Sequence, residues 1–155
     1  MEIPITIGRA TLSDLEEIVA IEESCLSSEE IVSYEFLEES IRKIAATLLV
    51  ARDENQLLGY VLGESQSLHP TWIEIRSFAI HPDHRGQGLG TLLLASLKQV
   101  AVEGGHEYLR LTCPDDLLSY FEMNGFVAGA LLEASYARFS GWNLIWANPF
   151  YQEEV

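Results

Sequence analysis

Seven consecutive residues, Arg85-Gly86-Gln87-Gly88-Leu89-Gly90-Thr91, carry the groups needed to hold an anion. Glycine takes positive φ and brings bare backbone close to a ligand. The apolar positions that follow, Leu89, Leu92, Leu93, Leu97 and Val100, predict an amphipathic helix over about residues 88–102. The first N–H groups of a helix lack intrahelical acceptors and can cradle phosphate oxygens. Arg85 adds a charge-assisted donor. A pyrophosphate suits this chemistry, although a plain tight turn into a helix would use the same glycines. Two other nucleotide loops fit poorly. The dinucleotide fingerprint needs GxGxxG near the first strand, whereas these glycines run GxGxG well inside the chain. No GxxxxGK followed by Ser or Thr exists.

Such a loop needs a strand before it. Trp72 to Ile80 reads as that strand, ended by His81-Pro82. Upstream, Ile5 to Arg9 reads as a short strand. Ser13-Asp14-Leu15-Glu16 has the form of a capping box, with Ser13 as N-cap of a helix to about Ser24. A second helix is expected over Glu29 to Lys43. Thr47–Ala51 and Leu57–Glu64, around a turn at Asp53-Glu54-Asn55, predict a hairpin. Downstream, Tyr108 to Thr112 reads as a strand, and Pro114-Asp115-Asp116 opens a helix that Gly125 ends. Ala130–Ala137 and Asn143–Ala147 would form a last hairpin. The order β-α-α-β-β-β-α-β-α-β-β predicts an α/β fold with a mixed sheet. A length of 155 residues suits one domain spanning 1–155.

Composition narrows the partners. Mean hydropathy is +0.10, and no apolar run reaches the roughly 18 residues of a spanning helix. No membrane association is expected. The start, Met1-Glu2-Ile3-Pro4, predicts no signal peptide. Cys25 and Cys113 form no metal-binding spacing, no metal is expected, and two distant thiols suit a reducing cytoplasm. The net charge of −15 opposes nucleic-acid binding. The charge is uneven: residues 1–70 carry 14 acids against 4 bases, whereas residues 77–102 carry Asp83 against Arg85 and Lys98. An acidic chain with one non-acidic island can hold an anion there and draw a cation elsewhere. The acids equally serve solubility.

Residues 85–90 match the R/Q-x-x-G-x-G/A motif, and here the chain resembles the GNAT superfamily of N-acetyltransferases. Ser77-Phe78-Ala79-Ile80-His81-Pro82, Asn124-Gly125-Phe126 and the element order extend the resemblance over nearly the whole chain. Leu111-Thr112-Cys113-Pro114-Asp115-Asp116-Leu117 through Phe126, and Arg9 through Ile21-Glu22, look most like the arylalkylamine (serotonin) N-acetyltransferase branch.

The resemblance implies a mostly antiparallel sheet flanked by helices, and transfer of acetyl from acetyl-CoA to a primary amine. The acceptor would be a small arylalkylamine or polyamine-like cation. Backbone groups of Phe78, Ala79 and Ile80 would pair with pantetheine. Arg85, Gly86, Gln87, Gly88, Leu89, Gly90 and Thr91 would hold the pyrophosphate. An alkylamine, with a pKa of about 10.4, arrives protonated and needs a base. Glu74 lies where the histone-acetyltransferase branch has its glutamate, and the bland alternative is an ion pair with Arg76 or exposure to solvent. The arylalkylamine branch uses two histidines where this chain has Glu74 and Arg76. His81 reads as a turn residue, and His84 as a neighbour of phosphate. The usual acid is a Tyr four residues before the Gly of Gly-Phe, where this chain has Phe121. Tyr120 would substitute if the helix register differed. Cys113 lacks a histidine partner for covalent catalysis. Trp72, Trp142 and Trp146 read as packing residues, and Tyr34, Phe36 and Tyr136 as candidate acceptor contacts. A homodimer is common in the family. A cofactor-binding sensor with little turnover and a protein N-terminal or lysine acetyltransferase are the competing readings.

Overall fold

The structure is a computed structural model that describes residues 4–25, 33–43, 45–65, 68–128 and 141–153. Its strands are β1 (Thr6–Arg9), β2 (Ala46–Arg52), β3 (Leu57–Ser65), β4 (Trp72–Ile80), β5 (Tyr108–Cys113), β6 (Val127–Ala128) and β7 (Trp142–Ala147). Its α-helices are α1 (Leu15–Cys25), α2 (Tyr34–Arg42), α3 (Leu89–Glu103) and α4 (Leu118–Met123). The strand order is β1-β2-β3-β4-β5-β7-β6, a seven-stranded mixed sheet. The β1–β2, β2–β3, β5–β7 and β6–β7 pairs are antiparallel, and β4–β5 is parallel.

The chain forms two compact units, Met1–Glu64 with Arg76–Leu97, and Ser65–Ile75 with Lys98–Val155. In the first, β2 and β3 are buried almost throughout, which explains their near-continuous apolar sequence. Leu48, Val50, Tyr60, Leu62 and Ala79 pack with Leu15, Ile18, Ile21 and Leu37 of α1 and α2. On the opposite face, a Cβ at Gly59 would lie 2.7 Å from Ile80 Cδ1 and 3.3 Å from Leu93 Cδ1 of α3. The absence of a side chain at Gly59 therefore lets the end of β4 and the start of α3 sit close to β3. In the second unit, Leu109, Leu111 and Cys113 alternate along one buried face of β5.

One helix start differs from the sequence expectation. The capping residue is Thr11, at the start of the 3-10 turn that leads into α1, not Ser13. Thr11 is extended, and the Asp14 carboxylate reaches back to its N–H at 2.8 Å. Ser13 lies inside the 3-10 turn Leu12–Asp14 that leads into α1. The described second helix starts at Tyr34, where extended Ser33 caps it by accepting the Phe36 N–H at 3.1 Å, and the expected start at Glu29 lies outside the described residues. Of the last hairpin, Asn143–Ala147 is matched by β7. Its expected partner, Ala130–Ala137, lies outside the described residues, as does Tyr136, and the strand described beside β7 is Val127–Ala128.

Candidate active site

β4 runs out at Ile80, and a short 3-10 turn, Pro82–His84, leads to the glycine loop. His81 caps that turn: its Nδ1 accepts the Asp83 N–H at 3.1 Å. His84 Nε2 lies 2.9 Å from Gln56 Nε2. Gly86 and Gly88 then take φ of 79° and 81°, which other residues rarely adopt. A Cβ on either would meet nothing within 4 Å. Backbone conformation, not crowding, therefore demands these glycines, and the space above them is open. The first hydrogen bond of α3 runs from Leu92 N–H to Gly88 C=O at 3.1 Å. The amides of Leu89, Gly90 and Thr91 precede it and find no acceptor among the described residues. Unpaired amides at the head of a 15-residue helix, beside bare glycine backbone, form a cradle fitted to an anion. Arg85 is exposed at its edge.

Within the second unit, Glu74 of β4 stands opposite Arg110 of β5 in the parallel register. Arg110 Nη1 donates to Glu74 Oε2 at 2.8 Å, with side chains 15% and 19% exposed. Glu74 thus has a cationic partner, but it is Arg110 on the neighbouring strand, not Arg76. Arg110 Nε is buried and has no hydrogen-bond partner among the described residues.

The α4 register decides which aromatic side chain turns inward. Phe121 is 5% exposed and packs edge-on against Phe126, centroids 5.9 Å apart. Tyr120 is half-buried, with its ring against Phe121. The end of α4 is held by Lys98, whose Nζ donates to Asn124 C=O at 2.5 Å. Its ammonium lies over the rings of Trp146 and Phe126, and burial pushes its pKa down. Trp146 pairs with Leu109, whose side chain lies on the face opposite Arg110. Glu74 and the end of α4 therefore occupy opposite faces of this unit's sheet.

Cys113 is buried, and burial, then the charges of Asp116, Asp115 and Glu122, raise its pKa. It remains a protonated thiol and a poor nucleophile. Trp72 stacks on His69, and Trp142 donates to Asp115, so both have packing partners. Phe36 packs against the first unit's core, while Tyr34 is 41% exposed. Among the described residues, no group of three or more His, Cys, Asp and Glu could hold a metal, and no helix is long and apolar enough to cross a membrane.

Residues 14–126 match the acetyltransferase (GNAT) family model. The chain belongs to the GNAT family. It is an acetyltransferase, and acetyl-CoA is its cosubstrate. Solved GNAT structures share the fold. A PaiA N-acetyltransferase from Thermoplasma acidophilum, in complex with coenzyme A, is 17% identical with a TM-score of 0.77, covering 93% of this chain and 99% of its own. A ribosomal-protein alanine N-acetyltransferase from Escherichia coli is 15% identical with a TM-score of 0.78, covering 98% and 99%. A spermidine N-acetyltransferase chimera from Vibrio cholerae and hSSAT is 19% identical with a TM-score of 0.73, covering 93% and 95%. At these identities the likeness is one of fold.

Proposed function

We propose that this GNAT domain transfers the acetyl group of acetyl-CoA to the primary amine of a small arylalkylamine or polyamine-like cation. The observation that carries the reading is the loop Arg85–Thr91, with left-handed Gly86 and Gly88, open space above them, and unpaired amides at the head of α3. Those amides and Arg85 hold the pyrophosphate. The main chain of Phe78, Ala79 and Ile80 runs beside the pantetheine arm. Acetyl-CoA supplies an activated thioester. Glu74 takes the ammonium proton on the oxygen that Arg110 does not engage, which frees the nitrogen lone pair for attack. Phe121 takes the inward position on α4, so Tyr120 is left as the candidate to return a proton to the leaving thiolate, whose ordinary pKa of about 8.5 makes that help modest. The acidic composition supports a cationic acceptor. A buried free thiol suits a reducing, cytoplasmic setting.

A second reading, a cofactor-binding module with little turnover, is favoured by buried Phe121 at the usual position of the acid. Amine-dependent release of coenzyme A separates the two, and a pair of variants tests the assigned roles. Glu74→Gln should lower the rate on alkylamines by about 100-fold at neutral pH and move the pH–rate profile, with acetyl-CoA affinity retained. Tyr120→Phe should lower it by about tenfold or less, since the thiolate leaves without much help. An unchanged rate and profile in Glu74→Gln removes Glu74 from the mechanism.

A further inference from the structure

Helix α1 carries a carboxyl group where its apolar stripe should continue. Leu15, Ile18 and Glu22 share one face, and all three are 0% exposed. A carboxyl buried this deeply is costly unless polar groups hold it. Glu22 Oε1 accepts from Ser77 Oγ at 2.8 Å, and Ser77 Oγ is hydrogen-bonded to the Tyr60 hydroxyl. Tyr60, on β3, is also 0% exposed, so half-buried Ser77 is the member of this line closest to the outside.

The donor inventory gives the line a direction. Ser77 has one hydroxyl proton and gives it to Glu22, so the Tyr60 hydroxyl must be the donor in its bond with Ser77. The chain of bonds runs from Tyr60 to Ser77 to Glu22 Oε1. Ser77 keeps a second lone pair for one more donor.

Its place on β4 gives that lone pair a use. Ser77 directly precedes Phe78, Ala79 and Ile80. An extended arm that starts at the glycine loop and runs back along β4 passes Ile80, then Ala79, then Phe78. One further strand step of about 3.3 Å brings its thioester end level with Ser77.

We infer that Glu22, reached through Ser77, is a second proton acceptor for acetyl transfer, in addition to Glu74. This rests on the N-acetyltransferase reading above. In the step, the ammonium nitrogen passes a proton to Ser77 Oγ while Ser77 passes its own to Glu22 Oε1. One N–H bond and one O–H bond break, and two O–H bonds form. Ser77 ends unchanged, Glu22 ends as the acid, and the amine ends neutral and nucleophilic. Ser77 is the residue that meets the substrate, and Glu22 acts through it.

The test compares an alkylamine, protonated at neutral pH, with an arylamine, which is already neutral. Glu22→Gln keeps the size and an acceptor for Ser77. Ser77→Ala removes the link, and Ser77→Thr retains a hydroxyl. Glu22→Gln and Ser77→Ala should each lower the alkylamine rate by about 10- to 100-fold, and the double variant should lose no more than the weaker single one. Arylamine turnover and acetyl-CoA affinity should stay within about twofold of the parent, and Ser77→Thr should keep most alkylamine activity. Thermal unfolding checks that each variant folds, and Ser77→Ala, at the half-buried position, carries the test if Glu22→Gln does not. Equal losses on both amines would mark a structural role and overturn the relay. Unchanged turnover of both would overturn it too. A parent enzyme inert toward every amine would instead refute the acetyltransferase reading, and the relay with it.

Discussion

Gly88 is where backbone conformation and function meet. Its φ of 81° excludes a β-branched side chain at modest cost, and open space above it leaves room for a ligand. Gly88→Val forces the residue toward negative φ and puts a side chain where a phosphate would lie. Strain of about 1–3 kcal/mol is expected from the φ change alone, so the melting temperature should fall by a few degrees while the fold survives. Acetyl-CoA affinity, read by titration calorimetry, should become unmeasurable. Normal affinity would remove the loop from the account. The loop's chemistry was legible because glycine spacing and helix pattern are local. Glu74's partner was not. Arg110 stands 36 residues away and meets Glu74 only through the parallel register of two strands, which no local pattern encodes. Glu22 hid for a related reason. In sequence it is one acid among several on α1, and only packing shows it to be fully buried.

At the scale of elements, α1 is tied to β2 and β3 by Glu17 and Arg52. Arg52 Nη2 donates to Glu17 Oε1 at 2.8 Å, and the Leu57 N–H donates to Oε2 at 2.8 Å. Burial alone would raise the Glu17 pKa, but the Arg52 bond, the Leu57 amide and the Arg52 charge outweigh it and hold the carboxyl below its usual range. A lowered carboxyl pKa stabilises the fold above the unfolded value of about 4.3, and that contribution fades as pH falls through the folded value. Arg52→Met should therefore melt earlier than the parent at pH 7, with the gap narrowing below about pH 4. A gap independent of pH would mean that Arg52 acts through packing. Helix and strand types followed from periodicity, whereas helix starts did not. Ser13 and Thr11 both have cap chemistry, and the choice depends on which residue is extended when Asp14 folds back. The same limit applied to α4. Tyr120 and Phe121 are adjacent in sequence, and only the inward packing of Phe121 on Phe126 shows which of them lines the interior.

For the whole molecule, the dominant property is a net charge of −15, with 24 acids against 9 bases. A field of that sign attracts cationic acceptors and is screened by salt, with a Debye length of about 10 Å at 0.1 M. KM for a polyamine should rise about two- to tenfold from low to moderate ionic strength, while KM for a neutral arylamine should hardly move. Parallel salt dependence for both would assign the acids to solubility alone. The element order was legible at this scale because each turn carries its own signal, whereas the mostly antiparallel sheet was expected from the resemblance to the GNAT superfamily. Acceptor identity was not, since it depends on side chains that different elements bring together. On the proposed function, the loop at residues 85–91 serves acetyl transfer, not mere cofactor binding. The most direct measurement is the rate of coenzyme A thiol release from acetyl-CoA across a panel of arylalkylamines and polyamines, with the acetylated product identified by mass. Amine-dependent release matched by acetylated amine is the expected result. Tight acetyl-CoA binding with no amine accelerating thiol release would contradict it.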